Sequence, residues 1–218
     1  SDLSYTGGES MQKLMKTLFT IAMLFVAGCT PLIDRGVKKP VIYFYPQETT
    51  EVDIKLTLDG EFIATYPKYN DGWKIVAEPD GTLRSLDGTK SYYCLFWEGT
   101  LSYKPDFSTG FVVKGSETEV FLEDALAKLG LNERERNEFI IYWLPQMQNN
   151  AYNLISFQSQ NYTDHALLDI TPKPDTVIRV MMAWRALKES IDIEPQELDG
   201  LERKGFTVVE WGGAEYTS

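Results

Sequence analysis

Apolar residues follow different rhythms along this chain, and each rhythm names an element. Val52, Ile54, Leu56 and Leu58 alternate with Asp53, Lys55 and Thr57, which is the period of a half-buried strand. Residues 41–45 form a compact apolar-aromatic run stopped by Pro46, and residues 73–77 and 111–114 add further strand segments. Residues 92–97 are apolar on both faces, which predicts a central, covered strand. The turn after Leu58 has two readings. A two-residue loop at Asp59-Gly60 mixes the faces. A three-residue loop, Leu58-Asp59-Gly60, pairs Leu56 with Phe62, Ile54 with Ala64 and Val52 with Tyr66, so a hairpin with Gly60 left-handed is expected. Asp-Gly pairs begin at Asp59, Asp71, Asp80, Asp87 and Asp199; their crowding in the first half predicts short antiparallel strands.

At Ser116 the period lengthens. Ser116 with Glu119 reads as a capping box, followed by Leu122, Ala125, Leu126 and Leu129 at helical spacing and a stop at Gly130. Asn132 with Glu135 predicts a second helix start. Residues 139–144 are uniformly apolar before Pro145 and fit either a helix or an edge strand; a strand returning to another at 152–157 is the expectation. Segments 166–170, 177–184 and 206–211 complete the strands, with a polar connection at 195–200 that has room for one helical turn. The predicted class is α+β: an antiparallel, β-rich, sandwich-like first half, then two short helices packed on further antiparallel strands. One globular domain is expected over 40–218, with 103–110 as the best hinge.

Before the domain lies a different pattern. Residues 18–27 are apolar, too few to span a bilayer, and follow Lys13 and Lys16. The run closes on Val26-Ala27-Gly28-Cys29, which resembles the lipobox of bacterial lipoproteins. In that family the Cys sulfur receives a diacylglycerol and a peptidase cuts before it. The resemblance implies a signal peptide at 11–28, cleavage between Gly28 and Cys29, lipidation of Cys29 and a tether over 29–39. An uncleaved anchor or a buried strand is the competing reading; the small residues before Cys29 and the polar, Pro-containing stretch after it favour processing. Residues 1–10 precede Met11 and Met15 and read as a mis-called start or an added extension. Thr30 after the lipid-bearing Cys resembles an outer-membrane address in a Gram-negative host.

Charge narrows the partners. Asp2 and Glu9 offset Lys13 and Lys16, so residues 29–218 keep the whole net charge of −11. That charge opposes nucleic-acid binding, which rests on Lys and Arg neutralising phosphates. It also leaves membrane attachment to the lipid. With Cys29 acylated, Cys94 has no partner in the chain, and its setting in Tyr92-Tyr93-Cys94-Leu95-Phe96-Trp97 suits a small buried filler.

Four segments carry a second resemblance: Lys39-Pro40-Val41-Ile42-Tyr43-Phe44-Tyr45-Pro46, Tyr66-Pro67-Lys68-Tyr69-Asn70-Asp71-Gly72-Trp73, Tyr142-Trp143-Leu144-Pro145, and the stretch from Arg203 to Gly213 that includes Phe206 and Trp211. Together they resemble an uncharacterised group of bacterial envelope proteins with a KPVIYLYP-type opening, over roughly residues 38–214, with Phe44 in place of Leu. The likeness implies a place in the envelope and brings no functional residue with it.

Candidate chemistry is sparse. His165 is the only histidine, no Gly-x-Ser-x-Gly elbow exists, and the Tyr162-Thr163-Asp164-His165 setting suits a strand edge. One His and one free Cys cannot build a usual zinc site, and no Asp-Gly pair has calcium-loop spacing, so no cofactor or metal is expected. Glu98, Asp106 and Glu210 lie near strand ends and could supply the facing carboxylates of a glycoside or cell-wall hydrolase. Aromatic residues are in surplus in the first half, where Tyr69, Trp73, Trp97 and Tyr103 could stack on a ligand. Strand propensity accounts for the same surplus without a ligand. The leading expectation is a lipid-anchored, non-enzymatic binding or structural module for a glycan, peptide or protein partner. The hydrolase is the alternative.

Overall fold

A computed structural model describes residues 36–217; the expected signal segment, Gly28, Cys29 and most of the tether lie outside the described residues. In chain order the strands of the first half are β1 (Gly36–Tyr45), β2 (Thr50–Leu58), β3 (Phe62–Tyr66), β4 (Trp73–Ala77), β5 (Leu83–Ser85), β6 (Ser91–Tyr92), β7 (Leu95–Thr100) and β8 (Thr109–Lys114). Helices α1 (Thr118–Lys128) and α2 (Glu133–Met147) follow. Then come β9 (Tyr152–Gln158), the one-turn α3 (Gln160–Thr163), β10 (Ala166–Thr171), β11 (Thr176–Leu187), β12 (Glu194–Pro195) and β13 (Thr207–Glu215). The protein is β-rich with few helices.

The strands form two sheets. The larger has eight strands in the order β12-β8-β9-β11-β13-β1-β7-β3, and the smaller five, β10-β2-β4-β5-β6. Most pairs are antiparallel, but β11 runs parallel to β13, and β12 parallel to β8. The expectation of purely antiparallel later strands is corrected there. A parallel pair needs a long crossover. The chain between β11 and β13 supplies it, passing through β12 on the way.

Strand alternation in β1 shows how the layers stack. Val41 and Tyr43 enter a core shared with Leu122, Leu126, Phe139 and Trp143 of the helices. Ile42 and Phe44 point the other way, into a core shared with Ile54, Trp73 and Ile75 of the smaller sheet. The large sheet is therefore covered on both faces, which is why its interior strands read as near-continuous apolar runs.

Several expectations change. β2 and β3 do not form a hairpin: β2 pairs with β10 and β4, and β3 with β7. The chain crosses between sheets at Asp59-Gly60. Ser102 N–H donates to Asp59 O and Asp59 N–H to His165 O, both about 2.8–2.9 Å. Gly60 is needed for close approach, since a Cβ there would sit 1.9 Å from Thr100 O. Residues 92–97 are likewise split, with Tyr92 ending β6 in the small sheet and Leu95 opening β7 in the large one.

Residues 139–144 are helical, within α2. Phe139, Ile140, Trp143 and Met147 are buried on one face while Ile141 is 74% exposed, so a uniformly apolar run has an amphipathic placement. Pro145 sits inside this helix and does not end it. The Asn132–Glu135 capping box forms with both bonds at 2.9 Å. The Ser116 box does not. Residues 115–117 make a 3-10 turn, and α1 starts from Glu117 with no side-chain cap. Thr118 Oγ1 instead donates to Lys114 O and accepts from Asn153 Nδ2. No helical turn occurs at 195–200. The described residues form one compact unit. Its 103–110 segment is pinned by buried Tyr103 and by a two-way amide clasp between Gln158 and the Asp106 backbone.

Candidate functional site

The four aromatic residues expected to meet a ligand meet the protein interior. Tyr69 and Trp73 touch each other edge to face, with ring centroids 4.7 Å apart. Trp73 is buried, and its indole N–H donates to Pro67 O at 2.8 Å. Tyr69 Oη accepts from Leu56 N and donates to Leu56 O, each at 3.1 Å. The β4 ladder with β2 stops at Ile54, so the Tyr69 hydroxyl takes the place of the next strand residue. Trp97 is fully buried, and Tyr103 is buried with its ring 6.2 Å from that of Tyr162. Trp73, Trp97 and Tyr103 are therefore core residues, and Tyr69 is half-buried against that core.

Trp97 leads to the most charged part of the interior. Its indole N–H donates to Glu210 Oε1 at 3.0 Å. The other oxygen of Glu210 accepts from Tyr162 Oη at 3.0 Å and from Arg179 Nε at 2.7 Å. Arg179 also donates to Ala166 O at 2.7 Å and lies 4.9 Å over the Tyr162 ring. Burial and the Glu210 charge push the Tyr162 phenol well above its ordinary value. Glu210 is 1% exposed and accepts from three donors, so it has no free lone pair facing solvent to take a substrate proton.

The other two carboxylates named for a hydrolase are also engaged. Glu98 accepts from Lys39 N–H at 3.2 Å. Asp106 accepts from Ser108 N–H at 2.8 Å, which lowers its pKa, opposite to the shift a general acid needs. His165 is tied to Asn161 O at 2.9 Å and lies 3.7 Å from Asp59. Burial pushes the Cys94 thiol up to about 12, which suits a filler and not a nucleophile. Among the described residues, no group of three acids, His or Cys is placed to hold a metal.

A second polar joint links two of the quoted motifs. Glu135 is wholly buried and accepts from Tyr45 Oη at 2.7 Å and from Arg203. Arg203 also donates to Gly130 O and stacks 5.5 Å over Tyr45. Next to it, Trp211 donates to Tyr43 Oη, which donates to Glu138 at 2.5 Å. The aromatic opening motif and the closing motif thus meet on the helix-facing side of the large sheet.

Two surface concavities bear on binding. One, of about 560 Å³, lies between Val177–Val180 of β11, the end of β9, α3 and residues 196–201. Its lining combines apolar Leu129, Phe157 and Leu198 with Arg179, Glu197 and Asp199. The other, about 470 Å³, runs over the Asn70-Asp71-Gly72 turn beside Asp53, Lys74 and Asp169. There Lys74 is paired with Asp53 at 3.0 Å. Trp73 also borders this second concavity, although the residue is buried, and Tyr69 is not part of its lining. Arg179, Tyr162 and Arg203 are functional-site neighbours that the sequence reading missed. Arg179 had a signal, a lone cation inside the apolar run 177–184.

No family model and no solved structure matches. The chain is 36% identical to an "Uncharacterized protein in bglA 3'region" of Butyrivibrio fibrisolvens, an alignment covering 37% of this chain and 88% of that protein.

Proposed function

For a chain that belongs to the family of this uncharacterized Butyrivibrio fibrisolvens protein, we propose a lipid-anchored, non-enzymatic binding module of the bacterial cell envelope. Its α+β, sandwich-like body stands outside the cytosol, in the outer membrane where the host is Gram-negative. The observation that carries the reading is Val26-Ala27-Gly28-Cys29 behind a short apolar run flanked by lysines. The anchor is assigned to Cys29; among the described residues no helix is long and apolar enough to cross a membrane. The interior supports binding over catalysis. Glu135, Arg179 and Glu210 are held by partners inside the protein, while the larger of the two concavities mixes apolar walls with polar and charged residues. Such a lining is ordinary for recognition.

The test is acyl labelling in a bacterial host. Native chain should incorporate labelled palmitate and lose residues 1–28, and Cys29→Ala should do neither. Equal labelling of both forms would refute the anchor. Capture of envelope material on the full chain then asks for the partner.

A further inference from the structure

β11 is only partly covered on the edge that faces β9. β9 lies beside it from Met181↔Gln158 to Leu187↔Tyr152. At Ser159 (φ −112°, ψ −110°) the chain leaves the sheet and enters α3. β11 begins earlier, at Thr176. Thr176 N–H donates to Phe206 O at 3.1 Å, on the β13 side, which fixes the phase of the ladder. In a parallel pair, alternate residues direct their N–H and C=O to opposite edges. Thr176, Ile178 and Val180 therefore serve β13. Val177 and Arg179 direct theirs the other way, and among the described residues no strand pairs with them there.

This uncovered stretch borders the groove of about 560 Å³. Two pairs of main-chain donors and acceptors, spaced about 6.8 Å apart along the strand, match the repeat of an extended polypeptide. Sugars carry hydroxyls without that repeat. The walls add selectivity. Phe157, Ile178 and Leu198 are apolar, and the exposed Glu197 and Asp199 put negative charge on the rim of a chain whose net charge is already −11. A second copy of so acidic a chain would be repelled; a basic one is attracted.

We propose that this groove accepts an extended, basic and apolar peptide segment of an envelope protein, which adds as a strand along Val177 and Arg179. The proposal rests on the binding-module reading and specifies its partner. The main-chain groups of β11 give affinity, one face of the added strand packs on Phe157 and Leu198, and its basic residues meet Glu197 and Asp199.

The test uses the full chain and a probe peptide of about five residues alternating valine and lysine, beside a valine–glutamate counterpart. The lysine probe should bind and slow amide exchange at Val177 and Arg179 by about tenfold or more. The glutamate probe should not. Glu197→Lys with Asp199→Lys replaces attraction by repulsion at an exposed rim. It should weaken the lysine probe about tenfold, with circular dichroism and melting unchanged. Three results overturn the proposal: no binding at millimolar probe, binding without protection of those two amides, or amides already slow in the free chain because its own residues cover the edge. Envelope capture that survives the double charge reversal removes strand addition here and leaves the binding-module reading in place.

Discussion

Arg179 and Glu210 face each other in register on neighbouring strands, inside the protein, with side chains 9% and 1% exposed. Removing two charges from water is costly, and their attraction compensates only because further donors complete the site. Losing one partner leaves the other charged and unpaired. Arg179→Met or Glu210→Gln alone should therefore lower unfolding free energy by about 3–5 kcal/mol. The double variant should recover more than half of the summed loss, because neither charge is then left buried without its counter-charge. Urea unfolding of the four forms checks this; losses that simply add would show that the two charges are not coupled. Both residues are visible in the sequence as lone charges in apolar runs, and Glu210 reads there as an acid near a strand end. Their pairing is not visible, because register between distant strands is a non-local fact. The same limit hides the fate of Trp97: its aromatic ring is legible, its acceptor 113 residues away is not.

At the scale of elements, cap chemistry located one helix start and missed the other, and strand pairing was missed where an edge has several possible partners. Both bonds of the Asn132 box are present, whereas the Ser116 hydroxyl caps nothing. Asn132→Ala should cost about 1 kcal/mol in thermal or denaturant unfolding, and Ser116→Ala should fall within error. An equal loss from both would mean that α1 has a side-chain cap after all. The missed hairpin has a different cause. Pairing apolar against apolar satisfied β2 and β3 on paper, yet β2 finds β10 and β4 with Val52, Ile54 and Leu56 buried, and β3 finds β7 with Phe62 half-buried and Ile63 and Tyr66 exposed. Periodicity assigns a face and leaves the neighbour open. Residues 139–144 show the limit of periodicity itself: a run apolar at every position carries no phase, and only the cap at Asn132 argued for helix.

For the whole molecule, the eight-stranded sheet is the shared wall of two cores. Ile42 and Phe44 fill one, Val41 and Tyr43 the other, and successive residues of one strand cannot be released separately. Phe44→Ala should lower stability by about 3–5 kcal/mol. Amides of α2 and of β2 should lose protection in the same transition, although only β2 borders the cavity. Melting of the helices at lower denaturant than the small sheet would contradict a shared wall. The sequence shows that a β-rich first half precedes two helices. It does not show that the later strands enter the same sheet as β1, which requires the parallel return of β13.

β1 also opens the described chain, a few residues after Cys29, and is flanked by β13 on one side and β7 on the other. If a lipid holds Cys29, a pull on the body enters it through β1, and a pull directed along this strand meets two flanking ladders. Tension then loads both flanking ladders in shear, so many backbone bonds resist together instead of opening one by one. A tethered body hauled in this direction should hold against far greater force than one peeled from an outer strand.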